Sequence, residues 1–264
     1  MDTYTINRCN LPGWVIASRH FNDNPRRIVI QGARADNERL FQHLAKLSTP
    51  EERGHYFHDY MDVKFQLHQW QREESRSSRK SLKNSYLRFL RGWLFDSNSP
   101  EGAVLKSWVE SRFGLPPTFH HIPIDGPESE SYLRYAHDRM KGSTRTSAIY
   151  LQCDLLYEFI QYELSLRHSD AKHLTLYRGI YDFCEQQVLQ RRDRRRYVLQ
   201  LNNLNSFTAD FERAWEFGNR VLKTEVPLVK ILFGSGLLPK ALLQGEDELL
   251  VIGGEYEVEV LTGG

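Results

Sequence analysis

The hydrophobic period of the chain changes near His173, and that change limits the fold more than any other feature. Before it, apolar residues recur three and four apart, the mark of amphipathic helices. Examples are Leu40, Phe41, Leu44 and Leu47; Phe57, Tyr60, Met61 and Phe65; Leu82, Tyr86, Phe89, Leu90, Trp93 and Leu94; Val104, Leu105, Trp108 and Val109; and Leu151, Leu155, Leu156, Phe159, Ile160 and Leu164. After it, Leu174-Thr175-Leu176-Tyr177 alternates like a short strand, and the stretch 226–233 is rich in β-formers, with Pro227 marking a strand start or an edge. Glu248-Leu249-Leu250-Val251 and the stretch 256–260 are further strand candidates, with Gly253-Gly254 read as a turn between them. Helices gathered before strands, instead of alternating with them, predict an α+β chain. The expected organisation is a mainly helical portion over residues 1–170, packed as one unit with a strand-rich core over 171–264.

Local punctuation supports the helices. Thr49-Pro50-Glu51-Glu52 has a capping Thr, a Pro at the first helical position and a Glu to complete a capping box. Ser99-Pro100 starts another helix, which Gly114 and Pro116-Pro117 should end. The stretch 71–80 is polar and reads as an exposed loop or helix end. The stretch 118–128 reads as an extended connection, and helices are expected over 130–141, 146–167 and 209–222. The last of these would present Phe211, Ala214, Trp215, Val221 and Leu222 on one side.

Composition narrows the class. The chain has 264 residues and a net charge of +1, so it is neither a polyanion trap nor an acidic tail protein. Cys9, Cys153 and Cys184 are an odd, scattered set with no CxxC pair, which argues against a disulfide framework or a zinc ribbon. Cys153 and Cys184 fall in helical patterns and are expected as core thiols. No apolar stretch approaches the length of a membrane span, and the N-terminus lacks a charged region followed by an apolar run. The expected setting is a soluble, cytoplasmic protein with reduced thiols. His55, His58 and His68 do not have metalloprotease spacing, His120-His121 reads as loop, and no metal site is expected. Neither a GxGxxG nor a GxxxxGK[ST] cradle is present.

Three short pieces carry chemistry: Leu176-Tyr177-Arg178-Gly179, Asn205-Ser206-Phe207-Thr208 and Glu246-Asp247-Glu248. A guanidinium such as that of Arg178 can clamp pyrophosphate or ribose oxygens through its planar fork. Gly179 would let the backbone approach a flat ring and its carboxamide. Ser206 and Thr208 alternate with Phe207, so their hydroxyls share one face of an extended segment. Glu246 and Glu248 are also two residues apart, which on extended backbone places both carboxylates on one face, roughly 6–7 Å apart at Cα. Such a set suits NAD, whose nicotinamide leaves as the ribose C1′ takes on oxocarbenium character that nearby negative charge stabilises. Each piece alone also has an ordinary reading: a surface arginine before a turn, a strand end with Thr208 capping the next helix, an acidic turn.

In this order, with a helix between the second and third pieces, they resemble the Arg-Ser-Glu class of mono-ADP-ribosyltransferases over residues 174–260. The resemblance implies a β core of two small packed sheets, NAD as substrate and no metal. It implies Glu248 as the catalytic carboxylate and Glu246 as the carboxylate facing an acceptor arginine. Arg178 and Ser206 would complete the catalytic set, with Tyr177, Gly179, Phe207 and Thr208 around the bound NAD. The middle piece lacks the Ser-Thr-Ser form common elsewhere in the class. Over its whole length the chain is similar to the dinitrogenase reductase ADP-ribosyltransferases of nitrogen-fixing bacteria. The similarity rests on its length, the aromatic-rich helical portion and the segments 176–180, 201–208 and 245–258. It implies transfer of ADP-ribose from NAD to one arginine of the nitrogenase iron protein, which inactivates nitrogenase, and association with PII signalling proteins. Transfer to another protein, NAD glycohydrolysis and a catalytically inactive regulator are the competing readings. Arg191, Arg192, Arg194, Arg195 and Arg196 form a dense basic run. It reads as a solvated helix end or loop, or as a patch facing NAD phosphates or an acidic protein surface; a nucleic-acid partner is not expected.

Overall fold

The computed structural model describes residues 7–67, 85–143, 148–239 and 247–262. Its helices are α1 (Gly13–Ala17), α2 (Arg19–Asp23), α3 (Glu38–Leu44), α4 (Pro50–Phe65), α5 (Tyr86–Phe95), α6 (Pro100–Phe113), α7 (Glu130–Ser143), α8 (Ile149–Arg167) and α9 (Phe211–Trp215). The strands are β1 (Phe119–His120), β2 (Ile122–Pro123), β3 (His173–Ile180), β4 (Gln187–Arg191), β5 (Arg196–Thr208), β6 (Arg220–Pro227), β7 (Ile231–Gly234) and β8 (Glu248–Thr262). The chain is therefore α+β, with most helices before the main sheet. Among the described residues no helix is long and apolar enough to cross a membrane.

The helix signals act as their chemistry predicts. Thr49 Oγ1 accepts from Glu52 N at 3.2 Å, and Glu52 Oε2 accepts from Thr49 N at 3.0 Å, closing the capping box of α4. Gly114 ends α6 in the left-handed region with φ 70°. The expected features over 71–80 and at His68 lie outside the described residues.

The main sheet is antiparallel, in the order β4-β5-β3-β6-β8-β7 with an additional β5–β8 pairing. These bonds close a ring. β3 pairs β6, β6 pairs the end of β8, β8 pairs β5, and β5 returns to β3 at Tyr177↔Thr208. The two small sheets expected from the resemblance are thus joined by hydrogen bonds into one sheet folded back on itself. Helix α8 packs beneath it: Tyr157 Oη donates to Val229 O at 2.8 Å, and Gln161 Nε2 donates to Ile231 O at 2.8 Å. One hydrophobic cluster contains Trp108, Phe159 and Phe57 from the helices together with Leu222, Phe233 and Ile252 from the sheet.

Three sequence expectations are corrected. Gly253-Gly254 makes no turn but lies inside β8, opposite a register shift between Leu201 and Leu204. A Cβ on Gly253 would fall 1.6 Å from Asn202 O, so the bulged strand can approach only glycine there. The helix expected over 209–222 is only the short α9, because Val221 and Leu222 belong to β6. That strand is wedged between β3 and β8, and its pairing on both edges overrides a helical spacing. The run 226–233 is broken in two, since Pro227 ends β6 and a 3-10 turn at Leu228–Lys230 precedes β7.

Candidate active site

Three strand segments converge on one cleft of about 620 Å³, a size that suits a drug-sized ligand. β3 brings Tyr177, Arg178 and Gly179, β5 brings Ser206, Phe207 and Thr208, and Glu248 is the first residue of β8. The register explains the convergence. Tyr177 and Glu248 are both paired with Thr208, so the three strands meet at one point. Residues opposite each other in an antiparallel pair share a face, which sets Glu248 beside Thr208.

Arg178 is held on two sides. Its Nη1 donates to Ser206 O at 3.0 Å and its Nη2 to Glu185 Oε2 at 2.6 Å. The buried Arg178 Nε has no hydrogen-bond partner among the described residues, an uncommon state for such a donor. The Nη2 contact, made to a partly exposed carboxylate, is the one a phosphate- or ribose-bearing substrate could take over. Gly179 is required for a reason besides ring approach, since a Cβ there would fall 2.0 Å from Ala214 O. Tyr177 packs edge-on against Phe211, with ring centroids 5.5 Å apart. Phe207 borders the cleft but is otherwise sunk in the core. Thr208 is not the helix cap: its Oγ1 accepts from Asp210 N at 3.1 Å, and Asp210 caps α9 by accepting from Glu212 N at 2.9 Å.

Asp247 has φ 50°, the left-handed region. The extended backbone on which Glu246 and Glu248 were expected to share a face therefore does not run through Asp247. Glu246 itself lies outside the described residues.

Several cleft residues were not legible in the sequence. Trp93, in the last turn of α5, donates its indole N–H to Ser206 Oγ at 2.9 Å. Glu185 supplies the carboxylate on Arg178. Phe95, Tyr181 and Phe217 stand at the cleft with most of their surface in solvent. In the sequence Trp93 looked like one more apolar position on a helix, and nothing marked Glu185.

Behind Trp93 lies a buried polar cluster. Lys106 Nζ donates to Asn98 Oδ1 and Phe119 O, both at 3.1 Å, and sits 3.3 Å from His120 Nδ1. Burial pushes this ammonium down to about 7, against the pull of Glu185 and Asp96. His120 Nε2 lies 3.1 Å from Asp138 Oδ2. Burial, with the Lys106 charge second, pushes the imidazole down to about 4. His120, expected in a loop, is thus a buried strand residue with both ring nitrogens engaged. His121 also approaches Asp138, at 3.7 Å. The possible ligand atoms of His120, His121 and Asp138 lie within 4.8 Å of one another, with Lys106 Nζ engaged at His120 beside them.

Two other expectations change. Cys184 is exposed on the turn before β4, while Cys153 is buried on α8. The basic run is the tip of the β4–β5 hairpin, where Asp193 accepts from Arg195 N and Arg196 N at 2.8 Å. Ser206 lies ten residue steps along β5 from Arg196, about 30 Å at the usual rise. None of these arginines lines the cleft, so the run does not face NAD phosphates there.

An arginine, a serine and a strand-end glutamate gathered in this chain order on antiparallel strands are the arrangement of an Arg-Ser-Glu ADP-ribosyltransferase. Comparison with known proteins narrows that class. The family model described as dinitrogenase reductase ADP-ribosyltransferase matches residues 6–260. A relative from Rhodospirillum rubrum, NAD(+)--dinitrogen-reductase ADP-D-ribosyltransferase, is 42% identical over 260 residues, covering 97% of this chain and 94% of the relative. The chain belongs to the dinitrogenase reductase ADP-ribosyltransferase family. No solved structure matches it at a significant level.

Proposed function

We propose that this chain transfers ADP-ribose from NAD to an arginine of dinitrogenase reductase, the nitrogenase iron protein, and so switches nitrogenase off. The observation that carries the reading is the meeting of Arg178, Ser206 and Glu248 at one cleft. Arg178 would clamp the pyrophosphate or a ribose, with Tyr177, Gly179, Phe207 and Thr208 enclosing the nicotinamide end. Glu248 would sit against the ribose carrying the reacting C1′. As the C1′–nitrogen bond breaks, its electron pair leaves with nicotinamide, which departs neutral. The positive charge that grows on the ribose is stabilised by the Glu248 carboxylate. A nitrogen of the acceptor guanidinium then bonds to C1′ and gives up a proton. Glu246 is assigned to orient that guanidinium and take its proton. No step calls for a metal. A cytoplasmic setting, supported by the scattered unpaired cysteines, and association with a PII signalling protein, supported by the family resemblance, complete the proposal.

The test is incubation of purified dinitrogenase reductase with NAD and this chain, read by intact and peptide mass spectrometry. One added ADP-ribose on one arginine is expected, and Glu248→Gln should reduce its formation by at least about 100-fold, the scale for loss of a transition-state electrostatic group. Wild-type-like transfer by E248Q rejects the site assignment. Release of nicotinamide with no modified protein rejects the acceptor and favours glycohydrolysis.

A further inference from the structure

We propose that Trp93 is a positioning residue for ADP-ribosyl transfer, its indole N–H fixing the Ser206 hydroxyl as a donor directed into the NAD cleft. The inference rests on the functional reading of the cleft given above.

An indole N–H can only donate. At 2.9 Å from Trp93 Nε1, Ser206 Oγ must therefore accept, and its own hydrogen has to be used elsewhere. The Ser206 carbonyl is taken by Arg178 at 3.0 Å, so the residue is gripped through its main chain and its side chain at once. Ser206 lies two residues from Thr208 on β5, and side chains two apart on a strand share a face. Thr208 is paired with Glu248. The hydroxyl hydrogen is thus released toward the side of the strand where the Glu248 carboxylate and a bound ribose would lie. Without the tryptophan N–H, the hydroxyl could rotate and spend its hydrogen on another acceptor.

Trp93 is itself well fixed. It is 3% exposed on α5, and the Lys106 ammonium lies 5.8 Å from its ring centroid. Lys106 is tied in turn to Asn98 and Phe119. The helical portion thereby acquires a part in the chemistry of a strand 113 residues later in the chain. A purely structural reading also exists: a buried indole needs a partner, and the Ser206 hydroxyl supplies one. The two readings diverge when the ring is kept and the N–H removed.

Trp93→Phe does that. We expect kcat for transfer to fall about 10-fold, the scale of one lost hydrogen bond, with KM for NAD within about threefold of wild type. On a Ser206→Ala background the same substitution should cost nothing more. Wild-type kcat in W93F, or an equal loss on both backgrounds, overturns the inference. A second measurement leaves Trp93 intact and needs no activity. The Trp93 indole N–H resonance, assigned through its own side-chain contacts, should move in S206A and return in Ser206→Thr. An unmoved resonance overturns the inference even if W93F fails to fold. A wild-type chain that transfers no ADP-ribose would instead sink the functional reading, while the resonance still reports on the bond.

Discussion

Glu185→Gln asks whether the carboxylate on Arg178 competes with NAD. The guanidinium divides its two terminal nitrogens between Ser206 O and Glu185 Oε2. A pyrophosphate drawn to Arg178 would have to displace the second contact and leave the first. The Glu185 side chain is 38% exposed and that of Arg178 18%, and the contact runs through one nitrogen. A pair so open to solvent contributes about 0.2–1 kcal/mol. Removing it should therefore tighten NAD binding by about 1.4- to 5-fold. Screening sharpens the test, because the gain should shrink as salt rises from low ionic strength to about 0.5 M. Isothermal titration of NAD into both proteins gives the dissociation constants, and kcat should stay close to wild type. Weaker NAD binding by E185Q would refute the reasoning, since Glu185 would then be holding Arg178 in its binding position. A gain that ignores salt would refute the electrostatic origin.

Two further outcomes test the scaffold. Arg53→Met leaves the Glu163 carboxylate, 0% exposed, without the guanidinium that meets it at 2.5 and 3.1 Å, and should cost about 3–5 kcal/mol in urea unfolding. The double substitution R53M/E163M should recover most of the loss, and a single variant as stable as wild type would contradict the pairing. The second outcome concerns pH. His120 has its folded pKa at about 4, below the ordinary 6.5, so between these values the unfolded chain binds the proton and the folded chain does not. Stability should therefore fall as pH drops from 6.5 toward 4, by up to about 3 kcal/mol from this group. Urea midpoints across that window should fall less steeply in His120→Gln, and parallel profiles would refute the assignment.

What could be read from the sequence was local. The Thr49–Glu52 box and the Gly114 stop are written in neighbouring residues, and the helices they bound are where the periodicity puts them. The order of Arg178, Ser206 and Glu248 along the chain pointed to the cleft that collects them. The rest depends on partners far away in sequence. β5 shows little alternation because Asn202, Asn203 and Asn205 are buried in it. Asn203 Nδ2 donates to Lys106 O at 2.8 Å and to Leu115 O at 2.9 Å, which satisfies polar groups that a sequence pattern would assign to solvent. In sequence the start of β6 reads as a helix end because adjacent Val221 and Leu222 fit both periods, and only its two paired edges decide. The grip of Trp93 on Ser206 leaves no trace in either segment read alone.

The two glycines inside β8 have a consequence for how the chain is made. Gly254 lies so close to α1 that a Cβ would fall 2.5 Å from Ala17 O, and Asn22 Nδ2 donates to Glu255 O at 2.8 Å across 233 residues. Part of the seat of α1 and α2 is therefore a strand made some 230 residues later, after the Phe113–Gly114 and His173 contacts are already available. At ordinary translation speed that interval is about 10–50 s. The late strand is the one that begins with Glu248. Completing the seat of α1 and α2 and delivering the proposed catalytic carboxylate thus fall to the same strand, and a nascent chain does not hold a finished NAD-consuming site before that strand is in place.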